Sequence, residues 1–190
     1  MKTKLIMISA VCSFLTLTTS ISFAQTMNKT VMVGSEEMFP QKDIIDNAVH
    51  SKAHTTLVAA VKAAGLVETL KGKGPFTVFA PTNDAFENLP EGTVDNLLKP
   101  ENKATLAKVL TYHVLSGKYD FEAISKLIKT GGGKASLKTV SGGTLIAMMN
   151  GNHNIVLKDE NGGIANISTY DVYQSNGVIH VLDAVVLPKM

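Results

Sequence analysis

The chain has 190 residues, with 18 lysines and arginines against 16 aspartates and glutamates, so its net charge is +2 at pH 7. Every basic residue is a lysine, and tryptophan is absent. A nearly neutral chain without arginine or a basic cluster is a poor nucleic-acid binder, and it lacks the polybasic segment that favours binding to membrane surfaces.

Residues 1–24 have the pattern of a signal peptide. Lys2 and Lys4 form a short positive end, residues 5–17 form an apolar core, and the segment 22–24 (Ser-Phe-Ala) offers a cleavage site. The core is shorter than the ~20 residues of a membrane-spanning helix, and no later segment reaches that length without charges. We therefore expect a secreted or periplasmic protein, cleaved near Ala24, with no transmembrane segment in the mature chain.

Cys12 is the single cysteine, and it lies inside the apolar core of this leader. Cleavage would leave no cysteine, so the mature chain is expected to fold without disulfides. It would also remove Lys2 and Lys4, reducing 18 basic residues to 16 against 16 acidic ones, a net charge of zero. The remaining length suits one domain with a sizeable core.

Helical patterns dominate the first half of the mature chain. Residues 25–40 are polar and aperiodic, and we interpret them as a flexible N-terminal arm. From Asp43 onward apolar residues recur at helical spacing, and Gly65 is placed to end a helix. Helices are predicted to begin near Asp43, Thr55, Asn83, Val94, Glu101 and Phe121.

The last third of the chain is predicted to be β. Short apolar runs near 136–140, 144–149, 155–158, 164–168 and 178–187 are separated by Gly-Gly and Asn-Gly turns, which predicts an antiparallel meander. An earlier strand, Phe76–Ala80, ends at Pro81 and must return to join this sheet. The predicted fold class is therefore α+β, with one domain at residues 41–188.

Three ordered motifs resemble the signatures of the fasciclin domain family. The first runs from Phe76 to Phe86, the second is Tyr112-His113, and the third begins at Ser175 and ends at Pro188. Their matching positions are Phe79, Pro81, Thr82, Asn83, Asp84, His113, Asn176, Gly177 and His180. The resemblance covers almost the whole mature chain and implies a wedge of β-strands flanked by helices, in which these residues are structural.

The resemblance also implies a function. Fasciclin domains are exported modules, many of which act in cell adhesion, so a non-enzymatic role in adhesion, aggregation or matrix contact is expected. The implied partner is a cell-surface or matrix protein or polysaccharide. In animal members the tyrosine–histidine motif and an Asp-Ile pair contribute to contact. The corresponding candidate surface here comprises Tyr112, Asp171, Val172, Tyr173 and Gln174, with Asp-Val in place of Asp-Ile.

Other candidate sites have plainer explanations. His113 lies on the apolar stripe of its helix and is interpreted as a core histidine, whereas Tyr112 points elsewhere and is the candidate for surface contact. His50 and His54 stand four residues apart, a spacing that suits a metal, yet no further ligand accompanies them, and we expect both to be solvated. No metal or cofactor is predicted.

Enzymatic chemistry is not predicted either. A Gly-x-Ser-x-Gly elbow and a usable cysteine are missing, and Asp84 is better explained as part of a helix start than as a catalytic acid. The alternative function comes from the apolar strand that carries Met148 and Met149. These side chains could line a site for an apolar small molecule such as a carotenoid or lipid, which would make the protein a periplasmic carrier.

Overall fold

The computed structural model describes residues 30–151 and 153–189. The predicted signal peptide and residues 25–29 of the predicted arm lie outside the described residues. The fold is α+β, as predicted. Seven helices are described: α1 (Ile44–Ala48), α2 (Thr55–Ala64), α3 (Val67–Leu70), α4 (Asn83–Glu87), α5 (Thr93–Leu97), α6 (Lys103–Tyr112) and α7 (Phe121–Thr130).

Nine strands are described as well. They are β1 (Val31–Val33), β2 (Glu36–Met38), β3 (Phe76–Pro81), β4 (Val114–Ser116), β5 (Lys134–Lys138), β6 (Thr144–Asn150), β7 (Asn154–Lys158), β8 (Ile164–Gln174) and β9 (Gly177–Leu182). Seven of them form one sheet in the order β4-β3-β9-β8-β7-β6-β5. Strands β5 to β9 are the predicted antiparallel meander, and β3 returns to pair in parallel with β9.

Side-chain caps explain where several helices begin. Asp43 accepts a hydrogen bond from the amide of Asp46 at the start of α1, and Asp120 does the same for Ala123 at the start of α7. Helix α2 ends at Gly65, whose φ of 76° lies in the left-handed region that a side chain disfavours. The helix ends thus follow local sequence chemistry.

Two apolar cores lie within the domain. The first packs α1, α2, α3 and α6 with the hairpin β1–β2 against β3 and β9, and its members include Val33, Leu57, Leu110 and Ile179. The second packs α7 against the meander and includes Phe79, Ile124, Leu145 and Leu157. Because β3 contributes Val78 to the first core and Phe79 to the second, this strand is buried on both sides.

The expected flexible arm is wrong for residues 30–40. Strands β1 and β2 form an antiparallel hairpin in which Val31 pairs with Met38. Val33 and Met38 are each only 4% exposed and belong to the first core. The sequence pattern is uninformative here because a three-residue strand contributes too few inward residues to show alternation.

Within the described ranges, none of the helices has the length and apolar character needed to cross a membrane.

Candidate functional site

The polar side chains of the first signature make hydrogen bonds between neighbouring segments. Thr82 caps α4 by accepting a hydrogen bond from the amide of Ala85 at 3.3 Å. Asn83 accepts from the amide of Thr56 at 3.1 Å through its Oδ1 and donates to the carbonyl of Lys52 at 2.9 Å. Asp84 lies exposed in the first turn of α4. These contacts connect α4 to the beginning of α2.

The third signature fastens the β8–β9 turn to the helical layer. Asn176 donates to the carbonyls of Leu70 and Gly72 at 2.8 and 2.9 Å, and its Oδ1 accepts from the amide of Ile44 at 3.1 Å. Gly177 lies so close to β3 that a Cβ built there would stand 2.2 Å from the Phe76 carbonyl oxygen.

His113 and His180 are both buried, and each ring is hydrogen-bonded on both nitrogens. His113 Nδ1 donates to the Val109 carbonyl at 2.8 Å, and its Nε2 accepts from the amide of Val186 at 3.3 Å. In His180 the tautomer is reversed, because Nε2 donates to the Tyr119 carbonyl and Nδ1 accepts from the amide of Asp171.

These hydrogen bonds use the neutral imidazole in both histidines, and burial favours the same form. Burial lowers the pKa of His113 to about 4, with the Val109 carbonyl and Asp159 opposing the shift. Burial also lowers the pKa of His180. The two rings therefore act as neutral connectors between strands and loops.

Tyr112 does not lie on the surface, so the expectation of surface contact at this residue is wrong. Its side chain is fully buried in the second core. The hydroxyl donates to the Thr144 carbonyl at 2.8 Å and accepts from the amide of Glu160 at 3.2 Å. Burial is the main cause that raises the pKa of Tyr112 to about 12. The side of α6 that carries Tyr112 is covered by the meander, whose position the helix pattern alone does not reveal.

The two histidines that stand at metal-ligand spacing, His50 and His54, lie in different surroundings. His50 is exposed, as expected, whereas His54 is only 4% exposed, so the expectation that it is solvated is wrong. His54 Nδ1 lies 2.8 Å from the Ser51 hydroxyl, and burial lowers the pKa of the imidazole. Among the described residues there is no cluster of three or more histidine, cysteine or carboxylate side chains suited to a metal ion.

Three of the predicted contact residues in β8 have roles inside the fold. Val172 is 1% exposed and belongs to the first core. Gln174 is 7% exposed and accepts a hydrogen bond from Asn47. Asp171 stands at an irregularity of β8 with a φ of 56°, and its carboxylate accepts from the amide of Phe121 at 2.7 Å. That carboxylate connects the strand to the beginning of α7.

Tyr173 remains half-buried at the wall of an open cleft of about 480 Å³, which we call the tyrosine cleft. The ammonium group of Lys118 lies 4.4 Å from the centre of the Tyr173 ring, a cation–π distance. The cleft is lined by Pro40, Gln41, Lys73, Pro75, Lys118, Tyr173, Gln174, Ser175, Asn176 and Gly177.

The hydroxyl of Tyr173 points toward acidic neighbours. It donates to Asp120 Oδ2 at 3.5 Å, and burial, reinforced by Asp171 and Asp120, raises the pKa of Tyr173 to about 12. Tyr173 is therefore a neutral phenol, and its ring and hydroxyl lie beside the ammonium group of Lys118. Lys73 and Lys118 are among the cleft residues that the sequence did not indicate, because both lie far from Tyr173 along the chain.

A second cavity, of about 80 Å³, lies within the first core, and its wall is almost wholly apolar. A cavity of about 150 Å³ accommodates benzene, so this one is far too small for a carotenoid or a lipid unless the helices move apart. Met148 and Met149 do not line it, since Met149 packs against the second core instead. Nothing in this cavity favours the carrier alternative.

Comparison with known proteins connects this geometry to a family. The model of the Fasciclin domain matches residues 52–188. The protein sll1483 of Synechocystis sp. is 41% identical over 177 residues, which cover 91% of this chain and 88% of that protein. The transforming growth factor-beta-induced protein ig-h3 of Sus scrofa is 33% identical over 149 residues, which cover 78% of this chain and 20% of that protein.

A solved structure shows the same fold. The FAS1 domain pair from the insect cell adhesion molecule Fasciclin I has a TM-score of 0.68 at 18% identity, covering 78% of this chain and 52% of that one. The family match includes all three signatures, whose side chains form the buried connections described above. The chain therefore belongs to the fasciclin domain family.

Proposed function

We propose that this protein is an exported, non-enzymatic interaction module that contributes to cell adhesion, aggregation or surface–matrix contact, and that it binds through the tyrosine cleft. The solved relative named above is a cell adhesion molecule, which supports the class of function. The observation that carries the site is the half-buried Tyr173 beside the ammonium group of Lys118 in an open cleft.

The chemistry of the cleft suits recognition better than catalysis. A tyrosine ring offers a large contact area with few rotatable bonds, and lysine adds a cation for carboxylate or phosphate groups. Loops and turns on a rigid scaffold commonly carry binding function, and this cleft is formed by turns anchored through Asn176. The expected partner is a cell-surface or matrix protein or polysaccharide.

The structure changes which residues should be tested. Tyr112, Val172 and Gln174 are buried, and Asp171 accepts a hydrogen bond from the first amide of α7, so their substitution would disturb folding as well as any surface. Tyr173 and Lys118 reach the cleft directly. We therefore choose the double variant Tyr173→Ser/Lys118→Ser as the probe of the site, with Lys99→Ser/Lys103→Ser, two exposed lysines of the helical side, as the control.

The test is binding of the purified protein to cells and extracted matrix of its own host, with folding of each variant checked by circular dichroism. Saturable binding that falls at least tenfold in the cleft variant and stays unchanged in the control would support the proposal. Saturable binding that survives in the folded cleft variant would reject the site but not the function. Absence of binding by the wild-type protein would reject the function.

A further inference from the structure

The outward side of the meander carries a surface that the signatures do not explain. Burial alternates along β5, the first part of β6 and the first part of β8, with Leu137 and Leu145 directed into the second core. In β7 three successive residues are buried, but only Ile155 and Leu157 belong to that core. The alternate positions therefore face away from that core. We call this outward surface the lysine face, defined by Lys134, Ser136, Lys138, Ile146, Met148, Val156, Lys158, Ile164 and Asn166.

The strand register gathers apolar side chains at the middle of the lysine face. Met148 pairs directly with Val156, and Ile146 is next along its own strand on the same side. Val156 is 8% exposed yet belongs to neither core, so its immediate neighbours on this face cover it. Ile164, across from Lys158, is 48% exposed. Ile146 and Met148 are partly exposed, so these residues form a contiguous apolar patch that reaches solvent, a feature of interaction surfaces.

The same register surrounds these apolar groups with cations. Lys134 pairs with Met148, and Lys158 lies between Ile146 and Ile164 in one cross-strand row. Neighbouring strands are ~4.8 Å apart, so the lysine stems lie beside the apolar side chains. The residues that define the face include no aspartate or glutamate. Carboxylates stand at its margins, where Asp183 bonds Asn166 and Glu160 lies near Lys138.

We propose that the lysine face docks on an anionic lipid bilayer. Lysines strengthen binding to anionic headgroups, and apolar side chains between them can enter the boundary between headgroups and acyl chains. A bilayer therefore accounts for both the lysines and the apolar residues of this face. A second copy of the chain would set lysine against lysine. The defining residues include no aromatic ring that could stack on a sugar, and lysine is depleted from protein–protein interface cores.

The lysines of this face form no run in the sequence. Lys134 and Lys138 lie on β5, and Lys158 lies two strands away on β7. The sequence therefore contains no polybasic segment here, whereas pairing of the strands brings these lysines together on one surface. The proposal does not depend on the tyrosine cleft, and it predicts that the cleft variant retains lipid binding.

The experiment is co-sedimentation with vesicles of phosphatidylcholine, either pure or containing phosphatidylglycerol. The wild-type protein and its variants are expressed in the native host, so that all samples carry the same processed N-terminus and differ only at the substituted residues. Each lysine near an anionic surface strengthens binding about fivefold, so Lys134→Gln/Lys158→Gln should weaken the partition at least tenfold. The control Lys99→Gln/Lys103→Gln should leave it unchanged.

Two further arms complete the test. Ile164→Ser should weaken binding severalfold at unchanged charge, and added salt should weaken the wild type by screening the lysines. Equal binding to pure phosphatidylcholine, or no loss in the folded Lys134→Gln/Lys158→Gln variant, would overturn the proposal. Binding of the lysine face to soluble polyuronate but not to vesicles would overturn it too, and would identify an acidic polysaccharide instead.

Discussion

The signature network and the tyrosine cleft meet at the β8–β9 turn, yet they use polar side chains in opposite ways. By the signature network we mean the hydrogen bonds of the signature residues Asn83, His113, Asn176 and His180. Asn176 in the network is 8% exposed, and its side-chain amide makes three hydrogen bonds, all to the backbone of other segments. Tyr173, three residues earlier, is half-buried and makes a 3.5 Å hydrogen bond and a cation–π contact. Asn176 thus holds segments of the fold together, whereas the Tyr173 side chain remains available for binding, although both residues line the cleft.

Substitution of Asn176 should cause the largest loss of stability. Asn176→Ala leaves the Ile44 amide and the Leu70 and Gly72 carbonyls without their partner. Buried groups left unpaired cost about 1–3 kcal/mol each, so the free energy of unfolding should fall by roughly 3–5 kcal/mol in urea denaturation. The exposed Asn88→Ala serves as control, with a change within about 0.5 kcal/mol. An equal change in both variants would contradict the role of the network.

Acid should weaken the network through His113. Its pKa is about 4 when folded, below the ordinary value near 6.5, so the unfolded chain binds the proton first. The stabilising contribution is complete above pH 6.5 and declines as the pH falls toward 4, where roughly 3 kcal/mol should be lost. Lowered pKa values at His180 and His54 act in the same direction.

Urea denaturation at several pH values would show this loss. Replacement of the exposed His50 by glutamine should leave the profile unchanged. A free energy of unfolding that is constant between pH 7 and pH 4 would rule out neutral buried histidines as connectors.

Tyr112→Phe should have a smaller effect on stability. It retains the buried ring but removes the hydroxyl that contacts Thr144 and Glu160. The expected loss in free energy of unfolding is about 1–2 kcal/mol, with no change in binding to host cells. Loss of cell binding at unchanged stability would instead restore Tyr112 as a contact residue.

The smallest stability effect is expected at Tyr173. Tyr173→Phe removes a hydroxyl whose only described hydrogen bond, to Asp120, is 3.5 Å long, so the free energy of unfolding should change by less than about 0.5 kcal/mol. Comparison with Tyr112→Phe in the same denaturation assay makes the contrast direct. If Tyr173→Phe were the more destabilising of the two, the distinction between network and cleft would fail.

Local chemistry made much of this fold predictable. Helix starts at Asp43 and Thr82 follow from capping residues, and alternating apolar runs indicated the meander. The sequence did not reveal strand β4 or the hairpin β1–β2, since three residues contain too little pattern. Burial of Tyr112 and assembly of the tyrosine cleft depend on contacts between distant segments, which neither capping nor periodicity encodes.

Strand β9 lies inside the large sheet, between β3 and β8, although it is the last of the described strands, and its parallel partner β3 lies about a hundred residues earlier. This part of the sheet therefore cannot close until β9 has been synthesised. Closing so long a loop costs conformational entropy before the strands pair, which slows folding. Until then β3 lacks its parallel partner. If the protein is exported as proposed above, a translocation channel that accepts only unfolded polypeptide meets a chain whose large sheet is still open.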